Sequence, residues 1–130
     1  MIIIAGKIRG KQRPKVYNRH AVTPEETINY ENWVRLCYQQ QGGEFLKGYL
    51  KAEIVAYYKI PKSYPKKRIQ TIKDGLEYPD KKPDSDNIAK IILDALNGIA
   101  YEDDKQVIDL SVKKRYTEEK ERVEINLEIM

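Results

Sequence analysis

The sequence has very little cysteine or histidine, with one residue of each among 130. Cys37 alone forms no intramolecular disulfide bond, and together with His20 it cannot supply the four ligands of a structural zinc site. Any metal site must therefore be built mainly from oxygen ligands, which suit magnesium, manganese or calcium. No evident base accompanies Cys37, and we expect it to be a buried, inert thiol on a helix.

Long apolar runs are also missing. The longest one, Met1 to Ala5, is far shorter than the roughly 20 residues that a membrane helix requires. It lacks the basic region and the longer apolar stretch of a secretory signal, so we expect a cytoplasmic protein without membrane association.

No glycine-rich phosphate loop is present, and we expect no nucleotide cofactor. With 41% hydrophobic and 34% charged residues, the chain suits a single folded domain over residues 1–130.

Charge is distributed unevenly along the chain. Residues 1–82 hold 17 basic and 8 acidic side chains, whereas residues 83–110 hold 2 basic and 7 acidic ones. The basic part indicates a polyanionic partner such as nucleic acid, because Lys and Arg neutralise phosphates. An acidic segment would repel that partner unless divalent cations bridge its carboxylates to phosphate, as in metal-dependent nucleases. Charged segments are also common as solvated surfaces, so composition alone leaves both interpretations open.

The apolar patterns predict an α+β domain with a mixed or antiparallel sheet of about four strands and about three helices. The expected strands are 2–9, 47–59, 106–116 and 122–129, and the expected helices are 24–41, 63–73 and 86–97. Thr23 should begin a capping box with Pro24 at the first helical position. Asp86 suits the N-cap of the third helix. Residues 10–15 are predicted to form a loop with exposed cations.

Two groups of carboxylates flank the third predicted helix. Asp84 and Asp86 stand just before it, and the run Glu102-Asp103-Asp104 follows it. Three converging carboxylates would hold a hard cation, with Lys90 one turn after Asp86. The same spacing has a purely structural explanation. Asp86 would only cap the helix, and Lys90 would only form ion pairs with Asp86 and Asp94. The spacing does not decide between these interpretations.

Three motifs in this region resemble the RusA-like Holliday junction resolvases. They are Lys81-Lys82-Pro83-Asp84-Ser85-Asp86-Asn87-Ile88-Ala89-Lys90, then Leu93-Asp94-Ala95-Leu96-Asn97-Gly98, then Tyr101-Glu102-Asp103-Asp104-Lys105-Gln106-Val107. Gly6-Lys7, residues 11–15 and Thr23-Pro24 are also similar, so the resemblance covers nearly the whole chain. It implies a homodimeric, magnesium-dependent endodeoxyribonuclease that cuts four-way DNA junctions by paired symmetric nicks in recombination and repair.

The resemblance also implies roles for single residues. The metal-binding catalytic aspartates fall on Asp84, Asp86 and Asp104, and the essential lysine falls on Lys90. The neighbouring Asp103 is set aside because Asp104 better matches the family's spacing to the following Gln106. The implied cofactor is Mg²⁺, with Mn²⁺ as a substitute, and the implied partner is four-way junction DNA. Members of the family carry an arginine run before the first aspartate, where this chain has residues 78–83.

Basic residues outside the acidic segment are candidate phosphate contacts. They are Lys11, Arg13, Lys15, Lys66, Lys67, Lys81 and Lys82. Two other functions stay open at this point. One is a non-catalytic DNA-binding or structural protein whose acidic cluster is a partner surface, and the other is a nuclease for other branched DNA.

Overall fold

Ten short elements follow one another along the chain. In this computed structural model all residues from 1 to 130 are described, except for the side chain of Lys15. In chain order the elements are β1 (Ile2–Ala5), β2 (Lys15–Tyr17), β3 (His20–Val22), α1 (Glu25–Gln40), β4 (Leu50–Lys59), α2 (Lys66–Lys73), α3 (Ser85–Ala95), a 3-10 turn (Asp104–Gln106), β5 (Val107–Thr117) and β6 (Arg122–Ile129).

Four of the strands form one mixed sheet in the spatial order β1-β6-β4-β5. β4 is central, antiparallel to β6 and parallel to β5. Its even-numbered residues from Leu50 to Tyr58 are buried, and the residues between them are less so, as alternation across a sheet requires. Helices α1 and α3 pack on that buried face through apolar side chains such as Val34, Ile88 and Ile92. The prediction of a single compact α+β unit with a four-stranded sheet and three helices is confirmed.

The connection between β5 and β6 determines the shape of one end of the sheet. These strands are consecutive along the chain, yet β4 lies between them. Residues 118–121 therefore cross the carboxyl end of β4, where the Ile60 amide donates to the Thr117 carbonyl over 2.9 Å. This crossing brings Lys120 and Glu121 beside Tyr58.

Both predicted helix caps are wrong. Pro24, not Thr23, occupies the N-cap of α1, and no side chain caps that helix. Proline has a fixed φ and no side-chain acceptor, so it begins the helix through its carbonyl, which accepts from the amides of Thr27 and Ile28. At α3 the N-cap is Asp84, and Asp86 lies one residue inside the first turn.

The amino-terminal third also differs from the prediction. The first strand ends at Ala5 because Gly6 adopts φ 113°, which only glycine adopts readily. The predicted loop of residues 10–15 leads into an unpredicted hairpin of β2 and β3. Asn18 and Arg19 form its turn with φ values of 48° and 67°. Positive φ at both central residues matches the twist of a two-residue hairpin. None of the described helices has the length and apolar character needed to cross a bilayer.

Candidate functional site

The start of α3 presents two of the predicted carboxylates to solvent. Asp84 has extended backbone, with φ −67° and ψ 153°, and its side chain makes no cap hydrogen bond. Asp86 lies in the first turn, where the helix dipole favours a negative charge. Both residues are exposed, and neither carboxylate has a hydrogen-bond or ion-pair partner among the described residues. Both are therefore available to a ligand.

The segment before the hairpin packs closely against this helix start. The Lys11 amide donates to the Asn87 carbonyl over 3.0 Å. A Cβ on Gly10 would lie only 2.6 Å from the Cβ of Pro83, so the approach requires glycine. A cleft of about 380 Å³ opens along this contact, with Lys7, Arg9 and Lys82 in its walls beside Asp84. Glu26 also lines it and pairs with Arg9 over 3.3 Å. Asp84 thus lies in a cleft in which Lys7 and Lys82 are cations without a paired carboxylate among the described residues.

Asp104 lies at the opposite end of α3. Its amide donates to the Asn97 side-chain oxygen over 2.8 Å, which fixes it next to the end of the helix. Burial raises the pKa of its carboxyl, and the nearby carboxylates of Asp103 and Asp94 raise it further. Crowded carboxylates of this kind favour a proton or a cation.

The neighbouring Asp103 is committed to the backbone. Its carboxylate accepts the Lys105 amide over 2.9 Å, and this bond is the main reason that the pKa of Asp103 is lowered. Gln106 completes the turn, because its side-chain oxygen accepts the amides of Glu102 and Asp103. The Gln106 amide group also donates to the carbonyl of Gly48. Of the two adjacent aspartates, Asp104 is therefore the one with a carboxylate free of backbone bonds.

Lys11 supplies an internal cation to the acidic region. Its ammonium lies 3.0 Å from a Glu31 carboxylate oxygen and 3.3 Å from one of Asp94. The lysine and Glu31 side chains are only 21% and 11% exposed. Burial lowers the pKa of Lys11, but the two carboxylates outweigh it and raise the pKa above its ordinary value. Lys11 thereby joins α1 to α3.

Lys90 has a different environment from the paired one considered above. It is exposed, and among the described side chains it forms no ion pair with Asp86 or Asp94. The interpretation of Lys90 as their structural partner is therefore wrong, since Lys11 holds Asp94 instead. An essential role for Lys90 stays a prediction.

The predicted metal ligands lie at the two ends of α3. Asp84 and Asp86 are at its start, and Asp104 lies beside Asp94 at its end. Asp94 follows Asp86 by eight residues, which is about 12 Å along a helix axis. Among the described side chains, no group of three or more His, Cys, Asp or Glu is placed to hold a metal ion. Oxygen donors of this type suit Mg²⁺, but one chain as described does not gather them into a three-ligand site. The ligand set Asp84, Asp86 and Asp104 stays a prediction.

The predicted phosphate contacts are spread over several surfaces. Lys82 lines the cleft beside Asp84, and Lys81 lies in the adjoining basic pocket. Lys66 and Lys67 are exposed at the start of α2, and Arg13 is exposed before the hairpin. Lys11 would have to leave two carboxylates to reach a phosphate. The side chain of Lys15 lies outside the described residues.

Comparison with known proteins identifies the family. The family model described as Endodeoxyribonuclease RusA matches residues 5–128. The chain belongs to this family. A Bacillus subtilis (strain 168) protein named Uncharacterized protein YqaN is 36% identical over 122 residues, which cover 90% of this chain and 85% of that protein. The resemblance found in the sequence motifs is thereby confirmed.

Three features of this RusA-family chain are not among the predictions from the sequence. The first is the half-buried Lys11–Glu31 pair, for which a glutamate among the apolar positions of α1 is the one sequence signal. Gln106 was used only for spacing, although its side chain holds the Asp103–Asp104 turn. Lys7 and Arg9 were assigned to a strand, and their place in the cleft follows from the early end of β1.

Proposed function

We propose that this protein is a magnesium-dependent endonuclease that resolves four-way DNA junctions by paired nicks in recombination and repair. Membership of the RusA endodeoxyribonuclease family implies a junction-resolving nuclease. The observation that supports the proposal best is the cleft that Asp84 lines together with Lys7, Arg9 and Lys82. A carboxylate beside basic side chains suits a reaction on a phosphodiester. The basic side chains would bind the phosphate, and the carboxylate would hold the metal ion.

The residues take the following roles in this proposal. Asp84, Asp86 and Asp104 are the proposed ligands of Mg²⁺, for which Mn²⁺ can substitute, and Lys90 is the proposed catalytic cation. Lys7, Arg9 and Lys82 orient the strand by holding its phosphates. Asp103 and Gln106 keep the turn that carries Asp104 in place. We expect the protein to act in the cytoplasm.

The protein is proposed to act as a homodimer. Paired nicks need two active sites facing opposed strands, and a two-fold dimer supplies them in matching orientation. β5 is an edge strand of the sheet and leaves the large side chains of Ile108 and Leu110 exposed. An exposed apolar edge of this kind is suited to a second copy. Sedimentation of the purified protein measures this directly, and a monomer at all accessible concentrations would contradict the dimer.

The function is tested with end-labelled four-way junction and linear duplex of the same sequence. Each is incubated with no divalent cation, with Mg²⁺ and with Mn²⁺. We expect paired nicks in the junction only, and only with a cation. Asp86→Asn should abolish cutting while junction binding stays or tightens, since a repulsive charge is lost. Asp74→Asn, an exposed aspartate at the end of α2, is the matched control and should cut normally.

Flaps and replication forks are included as further substrates. Efficient cutting of these with little cutting of the junction would make the protein a nuclease for other branched DNA. Binding without cutting under any divalent cation would contradict the enzyme and favour a DNA-binding protein whose acidic cluster is a partner surface.

A further inference from the structure

A second pocket lies at the carboxyl end of β4, next to the Asp84 cleft. It has a volume of about 640 Å³ and forms where residues 118–121 cross β4 and face residues 5–8. Five lysines and one glutamate supply its charged lining, which consists of Lys7, Lys59, Lys81, Lys82, Lys120 and Glu121. Tyr58 lines it from the strand beneath. None of the roles given above uses this tyrosine.

The Tyr58 hydroxyl is a buried polar group without a partner. The residue is 2% exposed, and its hydroxyl oxygen makes no hydrogen bond to any described residue. Burial, and then the Glu121 carboxylate, raise the pKa of Tyr58 to about 12, so the group stays a donor at neutral pH. Buried polar groups are nearly always paired, and an exception calls for an explanation. An anion in the pocket would supply the missing acceptor.

The pocket carries positive charge that the chain does not neutralise. None of the five lysines forms an ion pair with a described carboxylate. The Glu121 carboxylate, which accepts the Ile8 amide over 3.1 Å, offsets one of these five positive charges. The Lys81 ammonium lies 5.3 Å and the Lys114 ammonium 5.6 Å from the centre of the Tyr58 ring. The Lys81 side chain lines the pocket and can swing toward a bound anion, whereas the Lys114 ammonium donates to the Lys81 carbonyl.

The pocket adjoins the cleft at the start of α3. Lys7, Ile8 and Lys82 line both spaces, so the two spaces lie next to each other at these residues. Successive backbone phosphates of DNA carry charges at regular short intervals, which suits two adjoining basic sites. We propose that the Tyr58 pocket binds a DNA backbone phosphate next to the one that enters the Asp84 cleft, with the tyrosine hydroxyl and Lys120 as its donors. This inference rests on the proposed function, because it takes DNA as the ligand.

The test measures junction binding without divalent cations, so that cutting plays no part. Tyr58→Phe should weaken binding about tenfold, since a hydrogen bond to a charged group is lost, and leave the salt dependence unchanged. Lys120→Ala should weaken binding and reduce the slope of log affinity against log salt by about 0.9. The matched controls are Tyr57→Phe on the opposite face of β4 and Lys51→Ala at its far end, and both should bind like the wild type.

Wild-type binding by both Tyr58→Phe and Lys120→Ala would overturn the inference and leave the nuclease untouched. Weaker binding by both variants, together with a wild type that never cuts, would support the inference and contradict the nuclease. Inorganic phosphate separates the two sources of the anion. If phosphate raises the melting temperature of the wild type but not of Tyr58→Phe, while both bind DNA equally, the pocket takes free phosphate and the DNA assignment fails.

Discussion

Replacement of Lys11 by methionine should destabilise the protein while leaving DNA binding nearly unchanged. Methionine keeps the apolar stem of the lysine and removes its charge, so the Glu31 carboxylate loses its partner in a site where it is only 11% exposed. Breaking a buried pair costs about 3–5 kcal/mol, and breaking an exposed one costs about 0.2–1 kcal/mol. The Lys11–Glu31 pair lies between these limits, and we expect a loss of about 2 kcal/mol in unfolding free energy.

Thermal unfolding measures this loss. For a chain of this length, about 2 kcal/mol corresponds to a fall of roughly 8 °C in melting temperature. The double variant Lys11→Met with Glu31→Gln removes both charges and should regain most of it. Lys66→Met, an exposed lysine on α2, is the control and should leave the melting temperature unchanged.

The pH dependence gives a second readout of the same pair. Because the pKa of Lys11 is raised in the folded protein, its contribution is fully present below the unfolded-state pKa and is lost as pH rises through the folded-state pKa. As far as Lys11 is concerned, the difference between wild type and Lys11→Met should be constant at neutral pH and shrink in strongly alkaline solution. An unchanged melting temperature combined with weaker junction binding would refute the reasoning and make Lys11 a phosphate contact.

Three further variants probe the regions around the two ends of α3. Tyr58→Phe should raise the unfolding free energy by about 1 kcal/mol, because it removes a buried hydroxyl without a partner; a lower melting temperature would show that the hydroxyl is paired. Gly10→Ala should lower the unfolding free energy by about 1–3 kcal/mol, because the added methyl group overpacks against Pro83. The same change should displace Asp84 and reduce junction cutting more than tenfold, and normal cutting would contradict the close contact. Asp104→Asn should raise the melting temperature without divalent cations, since it relieves repulsion with Asp94. Added Mg²⁺ should raise the melting temperature of the wild type more than that of the variant. An equal rise in both proteins would mean that the cation binds elsewhere.

Local sequence patterns predicted much of the fold. The apolar face of α3 and the alternation in β6 depend on neighbours a few residues apart, and both elements lie where the pattern puts them. The position of β4 between β5 and β6 depends on contacts over more than 50 residues. A short charged turn after β5 resembles a hairpin connection, and nothing local shows that it crosses another strand. The Tyr58 pocket, which this crossing creates, was therefore not predictable.

The candidate site shows the same division. The motif residues and the start of α3 follow from the sequence, because Asp84 and Asp86 flank the first turn of a strongly periodic helix. The partner of Asp94 does not follow from it. A lysine four residues before Asp94 is the usual choice from helix geometry, but the ammonium that reaches it belongs to Lys11, from another part of the chain. Long-range ion pairs of this kind have no signature in a single sequence.

The distribution of cations between the two ends of α3 resolves the charge pattern of the sequence. At the end that carries Asp94, the Lys11 ammonium is held by Glu31 and Asp94, so this cation is not free to bind a phosphate. At the other end Asp84 and Asp86 have no internal partner, and the basic cleft opens beside Asp84. We therefore expect phosphate to meet free carboxylates at the start of the helix. Asp84→Asn should accordingly reduce junction cutting more than Asp104→Asn does at equal protein folding, and the reverse order would place the chemistry at the Asp104 end.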